Sequence, residues 1–454
     1  MLVSDFFETY SDLIRRFGCN YADYRLYPEI GYFVEACDAH AYSAWLGHCK
    51  TRRFCRSLTV NIHVPFCHLL HFYSPHFDQD VSNNSDSAKK YHDYLLREIK
   101  LYSQLLTDPP IVEQLYVGGA SNFLSYAQLN SVIQEIQQNF TLMKEGKLCI
   151  EIDSKQMSES SLQALREMGF NCVVIGMQDF DQGTQQPLHS SRIEASPLCA
   201  IRNAHQAGFK TIKIELFYGL PKQNLEKFAH ILEKIITANP HQISLLNYFY
   251  RLDKVKLQRN INLEDLPCEE VRLEMRLFAM IRLTEVGYVY IGMGLFAKYS
   301  DPLVVAKHQG RLHYGLQGYS ISSDSCCIAL GISGIGNIGP MLSQNACDFV
   351  NYYSKLECNM LPIMRCITLS GDDLIRRSVM QALICHSVLS IESVETFFPI
   401  EFKNYFAMEL AELVTYAQAE LITLDDEQIT VTPKGWLLIN NICGVFDKYL
   451  RTRK

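Results

Sequence analysis

The densest group of chemistry-bearing side chains in this sequence is the run CHLLHFYSPHF, which places Cys67, His68, His71, Ser74 and His76 within ten residues, with His63 just upstream. A thiolate and several imidazoles are donors that zinc or a haem iron accepts. The spacing fits no familiar zinc pattern, so a local enrichment of histidine is the plainer reading. A second group is spread along the chain. Polar or glycine residues stand where apolar runs stop: His63 and Cys67, Gly118 and Gly119, Glu151 and Asp153, Gln178 and Asp179, Glu215 and Tyr218, Asn247 and Tyr248. One such residue is ordinarily a cap or a turn. Six consecutive runs ending this way point to a ligand site, because the carboxyl ends of parallel strands converge on one face.

The elements that must position these residues follow from the pattern. Strands are expected at Leu58 to Val64, Gln114 to Val117, Leu148 to Ile152, Cys172 to Met177, Thr211 to Phe217 and Gln242 to Leu246. Between them the segments YHDYLLREIKLYSQLL, YAQLNSVIQEIQQNF, SESSLQALREMGF and EKFAHILEKIITANP have helical periodicity and the length of crossover helices. Strand and helix alternate in six units, which is the mark of an α/β fold with a parallel sheet. The helix starting near Ser158 has polar residues in its first turn and Gly169 past its end, the expected cap chemistry. After residue 366 helices follow without intervening strands, and QITVTPKGWLLINNICGVF reads as a hairpin or wing followed by a helix. Three segments are expected: an N-terminal extension over 1–55, a barrel with a substrate-side extension over 56–365, and a helical, winged-helix-like domain over 366–454.

Composition excludes several classes of function. The chain has 454 residues, 48% of them hydrophobic, enough for a large core, and a net charge of -7 gives no basic footprint for a nucleic acid. The winged outline is therefore read as structural or substrate-covering. The N-terminus shows no basic-then-apolar signal and no run approaches the roughly 20 apolar residues of a membrane span, so a cytoplasmic monomer is expected. Sixteen cysteines are scattered through the chain. In a large cytosolic protein these are reduced thiols, and Cys326, Cys327, Cys385 and Cys443 read as small buried apolar residues.

TVNIHVPFC, with its cysteine in the loop after the first strand, resembles the start of the radical S-adenosylmethionine (SAM) core in the oxygen-independent coproporphyrinogen III dehydrogenase (oxidase) family. YVGGASNFLS, CIEID, MGFNCVVIGMQDFD, IELFYGLPKQ and ISLLNY resemble the family's later strand-end motifs, in order. YIGMGLFA, GRLHYGLQGYS, LGISGIGNIG, DDLIRRSVMQALIC and the early YRLYPE extend the likeness over nearly the whole chain. The resemblance implies a partial (βα)6 TIM-like barrel that binds SAM and a 4Fe-4S cluster and decarboxylates coproporphyrinogen III oxidatively to protoporphyrinogen IX in haem biosynthesis. It implies SAM-facing roles for Asn61, Gly118, Gly119, Ala120, Ser121, Glu151, Gln178, Arg192, Glu215, Phe249 and Ile335, with Asn247 and Tyr248 beside them. The cluster positions correspond to Cys67, His71, Ser74 and His76.

The departures fall on the same face. Only Cys67 keeps a thiolate where the family has a CxxxCxxC spacing, and three thiolates are what leave the fourth iron open to SAM. Asn61 stands for a tyrosine, Ala120 and Ser121 thicken a glycine loop, and Ser190 replaces an arginine that Arg192 lies close enough to supply. Gly294 and Leu295 replace an Asp-His pair on the substrate side. The leading expectation is a degenerate paralogue, a pseudoenzyme that keeps the barrel and the C-terminal cover without radical chemistry and binds either a tetrapyrrole or a partner. Two alternatives stay open: a SAM-dependent oxidoreductase using an atypical cluster on Cys67, His71 and His76, and a haem-binding or haem-delivery protein using a histidine of the 63 to 76 region.

Overall fold

Strands covered on both faces must be apolar along their length, and the runs that meet this condition form the central sheet. The computed structural model describes residues 3–18, 22, 24–36, 38–52, 57–64, 85–106, 111–119, 123–153, 157–177, 197–248, 262–322 and 326–451. Contacts divide the chain into two units, one made of 33–282 with 325–367 and the other of 1–32, 283–324 and 368–454. Each unit gathers pieces that are distant along the chain.

In the larger unit the strands are β1 (Ser57–His63), β2 (Ile111–Gly118), β3 (Thr141–Asp153), β4 (Cys172–Met177), β5 (Thr211–Tyr218) and β6 (Gln242–Asn247). The smaller unit contributes β7 (Tyr288–Gly292), β8 (Leu295–Lys298), β9 (His313–Gly315) and β10 (Gly318–Ser320). The chain then returns to the larger unit with β11 (Cys326–Leu330), β12 (Ile335–Ile338), β13 (Met341–Asn345) and β14 (Ile363–Thr368). Strands β1 to β6 pair in parallel in chain order, as a (βα)6 barrel requires. Strand β11 adds in parallel to the other side of β1, with Thr59 opposite Cys327. Strands β12 and β13 then continue antiparallel. The expected strands agree with β1 to β6, and β3 runs further back than expected, to Thr141.

Local chemistry explains the helices between these strands. The helix Tyr126–Asn139 opens with a capping box between Ser125 and Gln128 and buries Leu129, Val132, Ile133 and Ile136 on one face. Ser158 accepts the Ser161 N–H at the start of the helix Glu159–Glu167, and Gly169 follows in the left-handed region at φ +101°. Asn224 caps the helix Leu225–Ala238, whose Phe228, Ile231, Leu232 and Ile235 are buried.

In the smaller unit, Ser370 and Asp373 form a capping box at the start of the helix Gly371–His386. The expected hairpin is present as β16 (Ile422–Leu424) and β17 (Gln428–Val431). It is joined by β15 (Val388–Ser390), so this region is not helical throughout before the wing as the sequence suggested. Three residues were too few to show an alternating pattern. Arg376 ties the helices together, donating to Asp372, Glu409 and the Phe446 carbonyl at 2.8–2.9 Å. Cys327, Cys385 and Cys443 are buried free thiols, but Cys326 is not: it is engaged in a disulfide, and so is Cys366.

Candidate functional site

Because β1 to β6 and β11 are parallel, their carboxyl ends open on one mouth of the sheet. His63 pairs with Gly118, Asp153 with Gly176 and Tyr218 with Asn247 in register. Strand alternation then decides which residues share the inner face. Glu151 lies two residues beyond Cys149 on β3, and Glu215 two beyond Lys213 on β5. These side chains and Tyr116 interact, and the resulting cluster is the chemical centre of the mouth.

Glu151 is only 7% exposed. Its carboxyl is pushed up to about 8, first by burial and then by the Glu215 carboxylate, against the opposing pull of Lys213 and of the Gly119 N–H that donates to it. Gly119 reaches this position at φ +72°, a conformation that suits glycine. At Gly118 an added Cβ would stand in ordinary van der Waals contact with Glu151 Oε2, at 3.4 Å. Lys213 Nζ donates to Glu215 Oε1 at 3.0 Å. With Glu151 protonated at neutral pH, the three groups together carry no net charge. Tyr116 is buried beside them and its hydroxyl is held far above its ordinary range by that burial. Below Glu151, the buried thiols of Cys149 and Cys172 approach to 2.9 Å.

The rest of the rim is less polar. Asn61 is half-buried in β1, opposite Tyr116 on one side and Ala329 on the other. His63 donates from Nδ1 to the Ile332 carbonyl at 2.7 Å, since a carbonyl can only accept, and burial lowers its imidazole. Asn247 Oδ1, at the end of β6, is buried with no hydrogen-bond partner among the described residues. A buried acceptor without a donor is costly, and a ligand N–H would relieve it. Ile335 is half-buried at the start of β12, which leaves the same mouth because β11 ends there.

The structure thus brings Asn61, Gly118, Gly119, Glu151, Glu215 and Ile335 to one rim. Ala120, Ser121, Gln178, Arg192 and Phe249 lie outside the described residues, as do Cys67, His71, Ser74 and His76. Among the described residues no group of three or more His, Cys, Asp or Glu side chains could hold a metal ion. Gly294 and Leu295 belong to the smaller unit. There, Met293 at φ +46° and Gly294 at φ +80° form the tight turn joining β7 to β8, and Leu295 is buried. Gly294 is thus explained by turn geometry. Lys213 was missed from the sequence, although its i, i+2 spacing to Glu215 on a strand would have placed it on the same face.

A mostly parallel sheet of six βα units, with acids and an amide oxygen unpartnered among the described residues at its carboxyl mouth, defines an α/β-barrel protein with a polar mouth. The comparisons say which one. The chain is 34% identical over 447 residues to the oxygen-independent coproporphyrinogen III oxidase of Pseudomonas aeruginosa, covering 97% of this chain and 96% of that protein. It is 32% identical over 441 residues to the enzyme of the same name from Escherichia coli K12, covering 97% and 95%. The solved structure described as "Coproporphyrinogen III oxidase (HemN) from Escherichia coli is a Radical SAM enzyme" matches with a TM-score of 0.89 at 33% identity, covering 97% of this chain and 98% of that one. Residues 369–438 match the HemN C-terminal domain. The chain belongs to the oxygen-independent coproporphyrinogen III oxidase family.

Proposed function

We propose that this chain keeps the family's SAM-binding barrel mouth and a tetrapyrrole-sized substrate side, but has lost the radical chemistry. Fit to the two cofactors differs. For SAM the residues present suit the ligand: Glu151 and Glu215 offer acids to its cationic groups, and the buried Asn247 Oδ1 offers an acceptor to an amino group. SAM bound with a reduced cluster would supply a carbon radical able to abstract hydrogen from a propionate side chain. For the cluster the donor set does not fit. Positions 67, 71, 74 and 76 carry one thiol, two imidazoles and a hydroxyl, and a serine hydroxyl stays protonated and is a poor iron ligand at neutral pH. No step of the reaction is therefore routed through a cluster, and what remains is ligand binding at the mouth.

The single observation behind this reading is the contrast between the retained acid pair on β3 and β5 and the single thiolate in the loop after β1. Anaerobic iron-sulfur reconstitution of the full chain, with iron and sulfide counted, tests one half. Calorimetric titration with SAM tests the other. The expected outcome is fewer than one four-iron cluster per chain together with measurable SAM binding. A brown protein with near-stoichiometric iron and sulfide and a reduced-cluster resonance signal would return the chain to the active members of its family.

A further inference from the structure

Among the described residues of the larger unit, one buried acid with three donors lies outside the cluster of acids at the mouth. Glu98, in the helix Ser85–Leu105, is fully buried. Its Oε2 accepts from the Gly331 N–H at 2.8 Å and from the Tyr352 hydroxyl at 2.7 Å, and its Oε1 accepts from Asn345 Nδ2 at 2.8 Å. Asn345 Nδ2 also donates to the Gly331 carbonyl at 2.8 Å. Two turns earlier on the same helix, the Tyr91 hydroxyl donates to the His63 carbonyl at 2.6 Å and accepts from the Ile332 N–H at 3.1 Å. Tyr91 and Tyr352 stack with ring centroids 5.8 Å apart.

These bonds converge on one place. The Gly331–Ile332 turn joins β11 to β12, and the His63 carbonyl is the last of β1 before the loop that carries Cys67. Gly331 sits at φ +93°, and an added Cβ would meet the His63 carbonyl oxygen at 2.2 Å and the Tyr91 hydroxyl at 2.4 Å. Nothing larger than glycine fits there while the bonds hold. We propose that Glu98 is the positioning residue for this side of the barrel mouth, fixing the β11–β12 turn and, through Tyr91, the end of β1, and so placing Ile335 and His63. Removing a buried carboxylate that accepts three donors leaves the Gly331 N–H and the Tyr352 hydroxyl without this acceptor and frees one of the bonds of Asn345. The turn should then open locally while the rest of the sheet stays closed.

The part of this inference that concerns ligand affinity rests on the SAM-binding reading; the part that concerns the turn does not. The test uses the full chain and its Glu98→Gln variant. Gln keeps one acceptor oxygen but turns an N–H2 toward groups that already donate. Hydrogen exchange, corrected for intrinsic rates, should be at least tenfold faster in peptides covering 329–334 of the variant, with protection of β4 and β5 unchanged. SAM binding should weaken about tenfold. A pH profile adds a signature that general loosening lacks. Burial raises the Glu98 carboxyl to about 7, so an opening that exposes it becomes harder as pH falls: exchange of the wild-type turn should slow from pH 8 to 6, and the variant should show no such step. The groups facing Glu98 are Tyr91 and Tyr102 from its own helix and Tyr352 from the helix Phe349–Glu357, all raised by burial far above this range. His63, reached through Tyr91, is lowered and bound to Ile332. If Glu98→Gln fails to fold, Tyr352→Phe removes a single donor and should quicken the same peptides about threefold. Unchanged exchange at 329–334 in the folded variant overturns the inference. A wild-type protein that binds no SAM but shows the exchange changes overturns the SAM reading alone.

Discussion

The protonation of Glu151 makes cation binding at the barrel mouth depend on pH in a calculable way. With its carboxyl at about 8, Glu151 is mostly protonated at pH 7, and the Lys213–Glu215 pair beside it is internally neutral. A cationic ligand gains its full attraction only after Glu151 releases a proton. Below pH 8 that release costs about 1.4 kcal/mol for each pH unit, a factor of about ten in affinity. SAM should therefore bind about tenfold more tightly at pH 7 than at pH 6, gain about a further fivefold by pH 8, and level off within about another factor of two above that. The amino group of the ligand also titrates, so the quantity to follow is the ratio of Kd values for SAM and S-adenosylhomocysteine, which lacks the sulfonium charge. Calorimetry in two buffers of different protonation enthalpy should show about one proton released per SAM bound at pH 6.5. Glu151→Gln should flatten the ratio and abolish the release. A wild-type ratio that is constant from pH 6 to 8.5, or proton release that survives in Glu151→Gln, would refute the argument that this carboxyl opposes cation binding.

Three further outcomes are expected. Asn247→Leu removes the acceptor that is unpartnered among the described residues at the end of β6 and should stabilise the unliganded protein by about 1 kcal/mol in denaturant melts while weakening SAM binding; a loss of stability would mean that Oδ1 is satisfied. Gly331→Ala forces a Cβ against the His63 carbonyl at a positive φ and should destabilise the fold by about 2–4 kcal/mol, read as a lower denaturation midpoint. Stability should also fall as pH rises. Glu98 and Glu151 are raised from 4.5 to about 7 and about 8, so the native state holds protons that the unfolded chain has released. Their contribution is full below pH 4.5 and lost through those values, at up to about 1.4 kcal/mol per group and pH unit. Glu151→Gln should remove its share of the decline in pH-dependent urea melts, and an unchanged slope above pH 7 would contradict it.

Strands β1 to β6 were legible because each is a continuous apolar run, as burial on both faces demands, and because Glu151, Glu215 and Asn247 interrupt those runs at their ends. The return of the chain through CCIAL, IGNI and MLSQN was not. These strands are short, broken by glycine, and place Asn337, Ser343, Gln344 and Asn345 in the interior, where polarity imitates a loop. Their burial is tolerated through partners such as Glu98, which is 247 residues from Asn345 in sequence. No local pattern carries that distance. Glu98 itself, within the charged-looking LLREIK of an amphipathic helix, reads as an ordinary solvent-facing acid. Lys213 was legible in principle, but its role appears only once Glu151 and Glu215 are seen to share its face.

The placement of β1 has a consequence for how the protein is made. It lies inside the sheet, yet of its two neighbours β2 emerges soon after it, while β11 is paired through Cys327, more than 260 residues after Thr59. At translation rates of about 5–20 residues per second, one edge of β1 stays bare for roughly 15–50 seconds while the intervening chain leaves the ribosome. That edge, flanking Leu58, Val60 and Ile62, is apolar and extended, which is the kind of surface that pairs with neighbouring nascent chains. Ribosome-associated chaperones that hold the first half of the chain should therefore govern its yield more strongly than its final stability does, and splitting the chain before β11 should leave an aggregating fragment.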